Sequence, residues 1–213
     1  ALQLRIATLD PRHPDIIVSE NNVAASLLDQ GRYGEAEPIF RKALTQSIDI
    51  LGENHPRTIS AYGNLGNVLS LLGRRRDAEA LYRKAIALGV STLGERHPDV
   101  LLGYSNLAST LGDLGNYQEA ERLARQVLAI RTELLGQKHP QLIISNNNLA
   151  SLLDGAQRYA EAETYYRKSI EISIAALGER DPLTGLAYNN LAYNLTRQKR
   201  YGEAETVYRK ALE

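Results

Sequence analysis

One short phrase recurs along the chain at a fixed interval. Leu51-Gly52-Glu53-Asn54-His55-Pro56 is followed 42 residues later by Leu93-Gly94-Glu95-Arg96-His97-Pro98. Leu135-Gly136-Gln137-Lys138-His139-Pro140 and Leu177-Gly178-Glu179-Arg180-Asp181-Pro182 keep the step, and Leu9-Asp10-Pro11-Arg12-His13-Pro14 precedes the first. A period of this length marks a stack of small supersecondary units, each burying its apolar face only against its neighbours. The chain therefore reads as a single array over residues 1–213. Its copies run over about 9–50, 51–92, 93–134, 135–176 and 177–213. Ala1-Leu2 falls at the repeat position of Ala211-Leu212, so residues 1–8 read as the tail of a preceding copy and the whole as a piece of a longer array.

Within one unit the chemistry of each half is legible. Pro98 suits the first position of a helix, where its missing N–H costs nothing. Val100, Leu107 and Leu111, with Leu101 and Leu102 beside them, recur at helical spacing until Gly115-Asn116. Ala120, Leu123, Val127, Leu128 and Ile130 then mark a second amphipathic helix, which Gly136 stops. The same reading predicts helices near 15–30, 34–51, 56–72, 76–93, 99–114, 118–135, 141–156, 160–177, 183–198 and 202–212, and no strands.

Counting the signature Leu as position one, position fifteen is Val23, Leu65, Leu107, Leu149 and Leu191. Position sixteen is always Ala or Gly, position nineteen always Leu, and position twenty-eight always Ala. Position thirty-two is Phe40, Tyr82, Ala124, Tyr166 and Tyr208. Small residues let helices approach, and the large ones fill what remains. This order resembles the tetratricopeptide repeat, whose usual period is about 34. The longer unit, with Gly31-Arg32-Tyr33-Gly34-Glu35-Ala36-Glu37 and Asn147-Asn148-Leu149-Ala150, is similar to the repeats of kinesin light chains. The resemblance covers essentially the whole chain. It implies an all-α fold, a right-handed superhelical solenoid of antiparallel helix pairs. It also implies a protein-interaction scaffold that takes a peptide or partner segment in a concave groove lined by first helices. The alternative is a structural or regulatory spacer that self-associates or docks on an attached effector domain.

Composition removes several other classes. Twenty-five Lys and Arg balance 25 Asp and Glu, so no basic field collects nucleic acid or an anionic membrane. There is no Cys, which excludes disulfides, thiolate zinc sites and thiol nucleophiles. No signal sequence or long apolar run is evident, and a cytoplasmic setting is the default. His13, His55, His97 and His139 all occupy position five, at successive helix starts, where the fifth copy has Asp181. Asp is a helix cap and no equivalent of a His zinc ligand, so the histidines read as structural. The expectation is no metal, no cofactor, no catalytic residue and no enzyme activity.

Position twenty-nine is always Glu and position thirty-three always Arg, the favourable order for ion pairs on a solvated helix face. Ten of the 12 Tyr fall on repeat positions and read as packing residues; Tyr165 and Tyr193 do not. Arg74-Arg75-Arg76 reads as a solvated turn between helices. Position fourteen is Asn in every copy: Asn22, Asn64, Asn106, Asn148 and Asn190. Asn67, Asn147 and Asn189 add further amides on the same helices. Asn is a mediocre helix former, so its recurrence needs a cause. One cause is an inter-repeat hydrogen bond. The other is contact with an extended peptide, whose N–H and C=O groups an amide can pair at once. These Asn, with Tyr193, are the candidate peptide-binding residues. Their surroundings (Ser60, Leu102, Ser109, Ile144, Ser151, Leu186) are small or apolar with few cations, which disfavours a strongly acidic ligand.

Overall fold

The computed structural model describes residues 13–212, and all its secondary structure is helical. The helices are α1 (Pro14–Asp29), α2 (Tyr33–Leu51), α3 (Pro56–Leu71), α4 (Arg75–Leu93) and α5 (Pro98–Asp113). They continue as α6 (Tyr117–Leu135), α7 (Gln141–Gly155), α8 (Tyr159–Leu177), α9 (Pro182–Arg197) and α10 (Tyr201–Lys210). Contacts divide the chain into two compact units, one ending at Thr110 and the other starting at Leu111. In the first, α1 packs on α2, α2 on α3 and α3 on α4; in the second, α6 to α10 pack each on the next. Every expected helix is present, with bounds shifted by at most two residues. The tail expected over residues 1–8 lies outside the described residues.

The signature phrase makes the turn between units. Gly52, Gly94, Gly136 and Gly178 sit at φ +85°, +88°, +83° and +98°, a region that L side chains adopt only with strain. Each glycine N–H donates to the carbonyl four residues back, as Gly52 does to Ile48. His55 Nδ1 then accepts the Arg57 N–H at 3.1 Å, and His13, His97 and His139 each accept the N–H two residues on at 3.2 Å. Asp181 Oδ1 does the same for Leu183 at 2.9 Å. The four imidazoles are thus helix caps, each occupied with its own backbone. Among the described residues no three His, Asp or Glu side chains converge as metal ligands would.

The core follows the repeat positions. Ala36, Ala78, Ala120, Ala162 and Ala204 are buried, as are Leu69, Leu111, Leu153 and Leu195. The aromatic of position thirty-two fills the space left by the small residue: a Cβ on Gly66 would lie 2.8 Å from Tyr82 Cε1. Burial of this phenol drives the Tyr82 pKa well above the ordinary tyrosine range. Some residues expected to pack are more open at the two ends of the described array. Val23 is 37% exposed and Leu27 half-buried, because no described helix precedes α1. Tyr201 and Tyr208 are 63% and 39% exposed, because no described helix follows α10.

The outer faces carry a denser ion network than the sequence pattern implied. The five expected Glu–Arg pairs of positions twenty-nine and thirty-three all form, for example Glu37–Arg41 and Glu163–Arg167 at 2.7 Å and Glu121 with Arg125. In addition, Arg74 bridges Asp77 at 2.8 Å and Glu37 of the preceding repeat at 2.8 Å. Arg158 and Arg200 repeat the bridge, to Glu161 and Glu121 and to Glu203 and Glu163. The Arg74–Arg76 run therefore does not lie in a loop: Arg74, at the N-cap position, ties two repeats, and Arg75 and Arg76 open α4.

Candidate functional site

The Asn ladder lies on the first helix of each pair, one residue before the core position fifteen. That register turns the amides away from the core: Asn22, Asn64 and Asn148 are exposed, and Asn106 and Asn190 half-buried. None of the five side-chain amides makes a hydrogen bond among the described residues. The inter-repeat bond that was one of two expected causes is absent. Neighbouring amides behave differently. Asn21 Nδ2 donates to the Ile17 carbonyl at 3.1 Å, and the Oδ1 of half-buried Asn147 has no partner.

In the first unit the structure brings three of the predicted residues together. Asn64 and Asn67 of α3 and Asn106 of α5 rim a hollow of about 280 Å³. Ile59, Ala85, Ile86, Leu102 and Asp99 also line it. Two glycines open it. A Cβ on Gly63 would touch nothing within 4 Å, and one on Gly103 would lie 3.0 Å from Ile86. Leu102, expected among the surroundings of the candidate amides, is 53% exposed here. The arrangement offers an apolar seat ringed by unengaged donors and acceptors, the usual composition of a binding site.

In the second unit the predicted residues separate. Asn189 lines a different hollow with Gly185 and Leu186. Asn148 is exposed on α7, and Tyr193 of α9 is 52% exposed. Tyr193 is not free, however. The Arg197 guanidinium lies 5.9 Å from its ring centroid and 5.2 Å from that of Tyr159, and donates to both hydroxyls at 3.1 and 2.8 Å. Such stacking lends cation–π stabilisation.

Beneath that cluster is a buried polar network that the repeat pattern did not reveal. Asn194, fully buried, donates through Nδ2 to Asp154 Oδ1 at 2.6 Å and to the Tyr159 carbonyl at 3.0 Å. Tyr166 OH donates to Asp154 Oδ2 at 3.1 Å, and Gln198 Nε2 to Asn194 Oδ1 at 2.8 Å. Burial pushes the Asp154 carboxyl above the ordinary range, against the hydrogen bonds from Asn194 and Tyr166 and the charge of Arg197. The amide that braces repeats is thus Asn194, not the position-fourteen ladder. Asp154 is the acceptor in that brace. The available signal was an Asn where the other copies have Ser26, Val68, Thr110 and Leu152.

The family profile described as Tetratricopeptide repeat matches residues 15–89, 99–175 and 141–213. No curated protein matches the chain. Among solved structures, the nearly identical TPR-like repeats of a protein assigned as a kinesin light chain in Podosopora anserina are similar at 23% identity. The TM-score is 0.79, with 93% of this chain and 94% of that one covered. BtubC (BKLC) from P. vanneervenii is similar at 20% identity and TM-score 0.79, over 93% and 79% of the two chains. A Rap protein complexed with Competence and Sporulation Factor is 12% identical with TM-score 0.77, over 91% of this chain and 52% of that one.

Proposed function

The chain belongs to the tetratricopeptide repeat family, and we propose that it is a protein-interaction scaffold whose first helices hold an extended peptide or partner segment, in a kinesin light chain-like manner. The observation that carries this reading is the unengaged Asn ladder. Five amides recur at a helix-interior position where Asn is mediocre, and none repays that cost with an internal hydrogen bond. A peptide backbone supplies the missing partners, and each bond made on binding adds about 0.5–1.5 kcal/mol net. The hollow beside Asn64, Asn67 and Asn106 supplies apolar contact.

The reading is of a binding surface and not of an enzyme, in line with the tetratricopeptide repeat family, whose fold is generally an interaction scaffold. Balanced charge speaks against nucleic acid and membrane surfaces as partners. Among the described residues no helix is long and apolar enough to cross a membrane, and the cytoplasm is the proposed setting. The Rap protein of similar fold, with its bound factor, supports the idea that such helix pairs receive a ligand. The test replaces Asn64, Asn106 and Asn148 by Ala and follows thermal melting and binding of peptides selected on the full chain. Lost binding at unchanged melting supports the reading. Intact binding overturns it, and light scattering that shows oligomers instead favours self-association.

A further inference from the structure

Resting on the peptide-binding reading above, we propose that the hollow between α3 and α5 is a pocket for one basic side chain, lysine or arginine, of the bound strand. At about 280 Å³ the hollow can take a single side chain. Its apolar lining, from Ile59, Ile86 and Leu102, matches the apolar stem that lysine and arginine share.

Charge decides between an aliphatic and a basic occupant. Asp99 is the one charged residue in the lining. His97 Nδ1 lies 3.9 Å from Asp99 Oδ2. That nitrogen accepts the Asp99 N–H as part of the helix cap. A leucine in the hollow would give the Asp99 carboxylate no counter-charge, and a glutamate would add repulsion. A cationic head on an apolar stem satisfies both parts of the site. The rim amides of Asn64 and Asn106 remain available to the peptide backbone on either side.

Gly63 makes the test clean. Its Cβ would meet nothing within 4 Å, so a side chain there enters the hollow and not the core. Random peptide display on the full chain identifies a binder. Fluorescence anisotropy then compares that peptide with Lys, norleucine or Glu at the enriched position. We expect enrichment of Lys or Arg, about fivefold weaker binding for norleucine, and weaker still for Glu. Asp99→Asn should abolish the preference for Lys over norleucine. Gly63→Leu should block binding while circular dichroism and melting stay unchanged. Enrichment of an aliphatic or acidic residue whose binding Gly63→Leu still blocks overturns the basic-pocket inference and leaves the peptide-binding reading standing. Failure to select any peptide, or peptides indifferent to Gly63→Leu and to the Asn replacements, overturns both.

Discussion

Arg158 Nη1 lies 2.5 Å from Glu121 Oε2, although the two residues are 37 positions apart and belong to successive repeats. The same arginine holds Glu161 of its own helix at 2.6 Å. Its pKa is raised by hydrogen bonds to Glu161 and Glu121. Position twenty-four therefore locks the register of one repeat on the next. A double-mutant cycle of Arg158→Ala and Glu121→Ala should show a favourable coupling in urea unfolding, kept modest by solvent screening of the exposed guanidinium. A coupling of zero would make the pair incidental.

The histidine caps predict an asymmetry between substitutions. His55→Ala removes the acceptor of the Arg57 N–H and should cost about 0.5–2 kcal/mol. His139→Asp should keep stability or raise it, because Asp181 performs the same task at the fifth turn. Denaturant midpoints of the two variants check this.

Gln157 and Lys199 stand at φ +63° and +64° where the other repeats place Gly31, Gly73 and Gly115. Gln157→Gly and Lys199→Gly should each raise stability by about 0.5–1 kcal/mol, as relief of left-handed strain outweighs the added freedom of the unfolded chain. Unchanged or lower melting temperatures would show that the side chains contribute more than the strain costs.

Burial pushes the Glu163 carboxyl up, but hydrogen bonds from Gln198, Arg167 and Arg200 bring it below the ordinary glutamate range. A folded-state pKa below the unfolded one adds stability that is present above the ordinary range and lost as pH falls through the folded value. Glu163→Gln should lower stability at neutral pH and flatten the further loss on acidification. Parallel pH-stability curves for parent and variant would contradict this.

The helices were legible because signals at three levels agree: Gly at the turn, His-Pro or Asp-Pro at the start, and apolar residues at helical spacing between. The ladder's register was legible for the same reason, since position fourteen adjoins a core position. What escaped is what depends on a neighbouring repeat. Arg74 looks like part of a basic loop until Glu37 is placed beside it. Asn194 reads as another polar helix residue until Asp154 and the Tyr159 carbonyl close around it. Conversely, Tyr201 and Val23 follow the core pattern but lack a described helix to cover them. A repeat pattern states what each position is built for, and burial also requires the next unit.

The central claim, that the first-helix amides are the ligand surface, is tested most directly by the side-chain amide NMR spectrum of the full chain during titration with a display-selected peptide. The account predicts that the Asn64, Asn67 and Asn106 signals shift together, in proportion to saturation, while the buried amide of Asn194 stays in place. Shifts confined to residues of the outer helices α2, α4, α6 and α8, with the Asn64, Asn67 and Asn106 amides unmoved, would contradict it.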